Sequence, residues 1–328
     1  MDRLREAWRR AVTAELCWTN PDGTPAAIAV TPLLRGSSSV GSPSAGSPSA
    51  ASPAAGSPSA GTTVCAAVPY SRAREVAELR AAGEATFAVT DSRSLPARTG
   101  TDSSPATGAG VAATGTVRIV DDLDGELFLD ELLDQELVKY PPSRTLADSV
   151  LLRRENWWWL PRIVVELAGP APGAGHPGET PLPARTDPAR HALLVTTAAG
   201  AAASTGVPEL RSVDLGADSA PSGAAPSGAA ASDVLGVRDL AGEPLPAASA
   251  GALVFGYDYT MPDLERWETW SRRGGFDGGH LAVEARTGSP GEDLRTLGLL
   301  ARTRRHRALA KACRTGLRAA QRHLQPTP

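Results

Sequence analysis

The residues best placed for chemistry in this chain form one short run, Tyr70-Ser71-Arg72-Ala73-Arg74. Ser71 stands where a hydroxyl caps a helix, and the apolar positions that follow, Ala73, Val76, Ala77 and Leu79, carry a helical spacing up to a stop at Gly83. Guanidinium groups beside the free N–H groups of a helix start form an anion site, so this turn is read as a place for a phosphate. The opposite reading, two solvated surface arginines, fits the same residues.

Other chemistries find less support. The five histidines, His176, His191, His280, His306 and His323, show no paired spacing. Cys17, Cys65 and Cys313 are odd in number and far apart, which argues against a zinc site and against a disulfide framework. Serine is concentrated in low-complexity loops with no strand–nucleophile–helix elbow, and no P-loop occurs. Gly108-x-Gly110-x-x-Ala113 has the spacing of a dinucleotide loop but precedes a strand, not a helix. Asp130, Glu131, Asp134 and Glu136 lie on an acidic amphipathic helix at 123–139, and without a histidine nearby they are read as its solvated face.

The elements that must hold the 70–74 turn follow from periodicity. A helix at 2–13 leads to a strand at 15–19, an Asn20-Pro21-Asp22-Gly23 turn and a returning strand at 26–34. Strands are expected at 64–68, 86–90 and 111–120, flanking the turn and its helix, with a flexible loop over 95–110. After the acidic helix, a short helical turn at 147–154 precedes a strand at 157–167. There, period-2 geometry sends Trp157 and Trp159 to one face and Trp158 to the other. Core and interface packing is one role for these tryptophans; lining a pocket for haem or another planar ligand is the other.

Residues 41–60 are four near-copies of a pentapeptide, a disordered insert within a hairpin. A Pro/Gly-rich linker is expected over 169–190. Beyond it the order of elements is read a second time: strands at 191–197 and 207–215, an insert at 219–232, and a strand at 252–257. Tyr259-Thr260 would then open a helix bearing Leu264, Trp267 and Trp270, stopped by Gly274-Gly275 and followed by a strand at 280–285. The tail, 294–324, is a basic helix with Leu309, Cys313 and Leu317 on one stripe. It is expected to be solvated or to pack across the acidic helix.

With Asp22-Gly23-Thr24-Pro25, the Ser71-Arg72 helix start, Leu79-Arg80 and Pro161-Arg162-Ile163-Val164, the first half resembles the pyridoxamine 5'-phosphate oxidase-like FMN-binding split barrels. The resemblance covers about residues 1–168. It implies a mainly β fold with helices (α+β): a split β-barrel at 1–168 with a disordered loop at 36–62, and a second, degenerate split-barrel-like half at 191–290 with a loop at 217–233. A basic C-terminal helix at 291–328 completes the chain. The resemblance also implies FMN or a deazaflavin, with Ala29, Val30 and Thr31 bordering the ring and Tyr70, Ser71, Arg72 and Arg74 at the phosphate. The site would lie in a homodimer or an intramolecular pseudo-dimer, and the activity would be that of an oxidoreductase on a small-molecule substrate. Ala73 replaces the family's lysine, Ile28 lies near the place of an arginine, and the Arg-x-His end is missing, which points away from vitamin B6 oxidation. A non-catalytic binding protein with no cofactor is the alternative.

The chain of 328 residues has a net charge of −3, which gives no global field for nucleic acid. A charged N-terminus and the lack of a long apolar run lead to the expectation of a cytoplasmic protein that binds neither membrane nor nucleic acid.

Overall fold

The computed structural model describes residues 1–36, 61–95, 110–147, 156–169, 178–197, 207–216, 233–246, 249–291 and 294–324. The inserts expected within 36–62 and 217–233, and most of the 95–110 loop and the 147–154 turn, lie outside the described residues. The fold is mainly β with some helices. It consists of an open antiparallel sheet followed by a closed six-stranded barrel.

The chain opens with α1 (Asp2–Arg10), which buries Leu4 and Trp8. The Trp8 indole donates to the carbonyls of Leu33 and Cys65, at 3.0 and 2.9 Å, pinning the helix across two strands. The strands β1 (Ala14–Thr19) and β2 (Pro25–Val30) form the expected hairpin around the 20–23 turn. The single strand expected over 26–34 is two strands, because the chain bends at Thr31 into β3 (Pro32–Gly36). Then come β4 (Thr62–Pro69), a 3₁₀ helix at Tyr70–Val76, α2 (Leu79–Ala82) and β5 (Glu84–Val89). Gly83, in the left-handed region at φ +71°, ends α2 as expected. Ser71 does not cap a helix: the tighter 3₁₀ turn starts one residue earlier, with Pro69 at its cap and no side-chain bond.

Next come β6 (Gly110–Asp122), a π turn at Phe128–Leu132, α3 (Leu133–Lys139) and α4 (Arg144–Ala147). The sheet is completed by β7 (Arg162–Gly169) and β8 (Thr180–Leu182). Its order is β2-β1-β5-β6-β7-β4-β3, with β8 added on β6, so β2 and β3 stand at opposite ends although only Thr31 separates them. Leu16, Trp18, Phe87, Val89 and Val165 form the centre of its core with Leu4 and Trp8.

Two expectations in this half fail. The tryptophan run is a turn, closed by the bond from Trp159 N to Asn156 O at 2.8 Å, and the strand starts only at Arg162. Both Trp158 and Trp159 are therefore buried while Trp157 is exposed, which strand alternation forbids. The stretch expected as a linker is also structured in part: β8 pairs with β6, and Arg185 is buried.

The second half is the barrel of β9 (His191–Thr196), β10 (Glu209–Leu215), β11 (Asp233–Asp239), β12 (Ser249–Tyr259), β13 (Trp267–Phe276) and β14 (His280–Thr287). The helix expected after Tyr259 is absent: Trp267 and Trp270 lie on a strand, and the copying of the first half's strand–helix–strand unit fails with it. The spacing of Leu264, Trp267 and Trp270 suits a helix, but pairing along both β12 and β14 outweighs that local pattern. Trp270 points into the barrel with Phe276, Val254 and Leu194, whereas Trp267 faces the first half. Gly274 does not stop a helix. It sits at a register shift where a Cβ would overlap the Ala282 carbonyl oxygen.

The halves pack face to face. Small residues of the sheet, Cys17, Ala29, Ala88 and Ala112, meet Leu193, Val195, Leu253, Phe255 and Tyr257 of the barrel. The final helix, α5 (Leu299–Leu324), lies against the 70–76 turn and buries Ala310, Cys313 and Leu317. Ala310 and Cys313 join the cluster of Phe128, Leu132 and Leu133, whereas Leu317 joins the core of the sheet, so the stripe is shared between the two. No helix among the described residues is long and apolar enough to cross a membrane.

Candidate functional site

Where β2 bends into β3, the sheet, the barrel and α5 leave a cavity of about 550 Å³. Its floor is Ala29, Val30 and Thr31 on one side and the end of β4 running into Ser71 and Arg72 on the other. The barrel contributes Trp267 and Thr269, and α5 contributes Arg305, Ala308, Leu309 and Ala312. Tyr140 and Trp159 add aromatic walls; the Tyr140 and Trp267 ring centroids are 6.0 Å apart. The volume is in the range of sites for small organic ligands.

Five of the seven residues singled out from sequence thus share one cavity: Ala29, Val30, Thr31, Ser71 and Arg72. The other two do not line it. Tyr70 is buried, and its hydroxyl donates to Asp121 at 2.9 Å. Arg74 is exposed on a separate groove beside Arg80 and Lys311. Arg72 and Arg74 also line, with Arg273, a second hollow between Ile28 of the sheet and Trp270 of the barrel. Arg72 itself is occupied: Nε and Nη2 bond the Glu75 carboxylate at 3.0 and 2.6 Å, and Nη1 donates to the Ala29 carbonyl at 2.9 Å. The junction cavity therefore takes Arg72 of the pair and not Arg74.

Sequence reasoning missed three polar residues of the cavity. Glu136, read as part of a solvated face, is 7% exposed; Ser143 donates to its Oε1 at 3.0 Å, and burial pushes its carboxyl up. Arg162 is 1% exposed, set against the rings of Phe128 and Trp159, which meet edge to face at 84°. The available signal was a lone charge inside an apolar run, Leu160-Pro161-Arg162-Ile163-Val164.

One turn past Glu136, the Lys139 ammonium donates to the carbonyls of Trp8 and Pro32, both at 2.7 Å. Burial pulls its pKa down to about 7. Above that pH the folded chain has shed a proton that the unfolded lysine keeps until about 10.4. Stability contributed here therefore rises with pH through that window, by at most about 1.4 kcal/mol per pH unit. Urea unfolding of wild type and Lys139→Met across about pH 7 to 9.5 checks this: the wild-type midpoint should climb relative to the variant's, and parallel curves would refute it.

Set against known proteins, the chain matches no family model, no curated protein and no solved structure.

Proposed function

We propose that this protein binds a planar small molecule in the cavity at the junction of its two halves, with FMN or a deazaflavin as the first candidate. The observation that carries this reading is that one cavity collects Ala29–Thr31, Ser71 and Arg72 from the sheet together with Trp267 from the barrel. The consecutive placement of β2 and β3 at opposite ends of the sheet supports reading the first half as a split barrel. The barrel then stands where a partner subunit would, making the site intramolecular.

The residues suit a ring better than they suit a phosphate at 71–74. The Ala29–Val30 edge is apolar, Tyr140 and Trp159 offer faces for stacking, and the Trp267 Nε1 is buried without an acceptor, a donor for a ring heteroatom. A bound flavin would supply two-electron redox chemistry; the chain's own part is to hold the ring and exclude water. Because Arg72 is held by Glu75 and Arg74 lies outside, a non-catalytic binding role on the same fold is the second reading.

The test is an absorption spectrum of freshly purified protein, followed by titration with FMN and with an 8-hydroxy-5-deazaflavin, read by tryptophan quenching. One of them should bind at one per chain, and Trp267→Ala should weaken it about ten-fold, or ~1.4 kcal/mol. Colourless protein that leaves both titrations flat overturns the flavin assignment.

A further inference from the structure

Arg162 is a buried cation whose hydrogen-bonding capacity is almost unused. Among the described residues its guanidinium donates one bond, from Nη1 to the adjoining Pro161 carbonyl at 3.2 Å, and its Nε donates none. The Phe128 and Trp159 rings lie 4.0 and 4.7 Å from its central carbon and hold the charge without accepting a hydrogen bond from its rim. Among the described residues the foremost counter-charge, Glu136, forms no ion pair with it; its Oε1 accepts from Ser143 instead. Leaving a guanidinium buried and unpaired costs several kcal/mol, which a purely structural residue would avoid. The side chain lines the junction cavity.

The geometry points to Arg162 as the oxyanion anchor of that cavity: its occupant is a planar molecule bearing a carboxylate or a phosphate monoester, with the anion on Arg162 and the ring against Trp159 and Tyr140. This rests on the reading of the cavity as a small-molecule site, and it moves the anion from the 71–74 turn to β7. The other cations in the wall are engaged: Arg72 by Glu75, and Arg305 by the Glu265 carbonyl at 3.0 Å.

Two ligand pairs that differ in charge test the inference: FMN against riboflavin, and 2-naphthoate against 2-naphthamide, titrated into wild type, Arg162→Met and Arg162→Lys. Wild type should prefer the anion of at least one pair by about ten-fold or more; which pair responds separates phosphate from carboxylate. R162M should bring the preference to near unity, keep the affinity for the neutral partner, and melt no lower than wild type without ligand. R162K, which retains the charge but not the planar fork, should lose part of the preference, and it serves alone if R162M does not fold. A preference unchanged in both variants, or none in wild type although the neutral ligands bind, overturns the anchor and leaves the cavity reading standing. If none of the four binds wild type, that reading falls and the anchor with it.

Discussion

Replacing Glu15 by glutamine should lower the free energy of unfolding by about 3–5 kcal/mol, the range for breaking a buried ion pair from one side. Glu15 and Arg185 are both buried, and Nη2 of Arg185 donates to Oε1 of Glu15 at 2.6 Å. The same oxygen accepts from the Tyr257 hydroxyl at 2.6 Å and the Thr90 hydroxyl at 2.9 Å. Burial pushes the Glu15 carboxyl up, and the Arg185 charge pulls it back. Four segments meet on one oxygen: β1 supplies Glu15, the residue after β5 supplies Thr90, the stretch after β8 supplies Arg185, and β12 of the barrel supplies Tyr257. An amide in place of the carboxylate leaves the guanidinium buried without a counter-charge and gives two hydroxyl donors a weaker acceptor.

The measurement is a double-mutant cycle in urea with Glu15→Gln, Arg185→Met and both. Each single change should cost most of the amount, while the pair together should cost well below their sum, with a coupling above about 1.5 kcal/mol. Additive losses would show that the two side chains do not act as a unit. Because the network crosses the face between the halves, E15Q should also loosen the barrel against the sheet.

The second large effect is at Gly316. A Cβ there would overlap the carbonyl oxygen of Tyr70, so α5 approaches the 70–76 turn as closely as only glycine permits. Glycine inside a helix of 26 residues otherwise costs about 1 kcal/mol relative to alanine. Gly316→Val cannot be absorbed by a side-chain rotation, because the opposing atom is backbone. The helix must lift from the turn, which uncovers Cys313 and Leu317, 1% and 3% exposed. The three free cysteines are all buried, so wild type should react slowly with a thiol reagent such as DTNB. G316V should show one fast thiol, lost when Cys313→Ala is added, and should weaken any cavity ligand by removing the wall of Ala308 and Leu309. Equal thiol kinetics in the two proteins would mean that the contact is not limiting.

Much of the local architecture was legible without coordinates. The hairpin around Asn20-Pro21-Asp22-Gly23, the end of α2 at Gly83 and the buried stripe of Cys313 and Leu317 each depend on neighbours within a few residues. The strand edge at Ala29–Thr31 and the start of the 70–76 turn were singled out separately, and their meeting at one cavity required the sheet order. Trp267 and Trp270 misled because their three-residue spacing suits either a helix or, with opposite faces both covered, a strand. Trp157, Trp158 and Trp159 misled in the other direction: a β-rich composition gave way to a turn that buries two adjacent rings.

Glu136 and Arg162 carry the sharper lesson. Nothing in the acidic helix separates Glu136 from Glu131, yet Glu131 pairs with Arg35 at 2.9 Å while Glu136 faces the cavity with no ion pair among the described residues. Likewise the sequence marks 15–19 only as a strand, and the barrel packed on its outer face makes Glu15 a buried charge.

What the sequence determined by itself was the set of strands and turns whose causes are local: hydrophobic period, glycine stops and turn residues. What the tertiary structure alone decided was which face of each strand meets the second half, and so which of many ordinary charges lose their water. Desolvation depends on atoms distant along the chain, and no spacing of residues records it. The 70–74 turn shows the division: its sequence offered two arginines as one of two readings, and the fold bonded one to Glu75, left the other outside the junction cavity, and put Arg162 inside it.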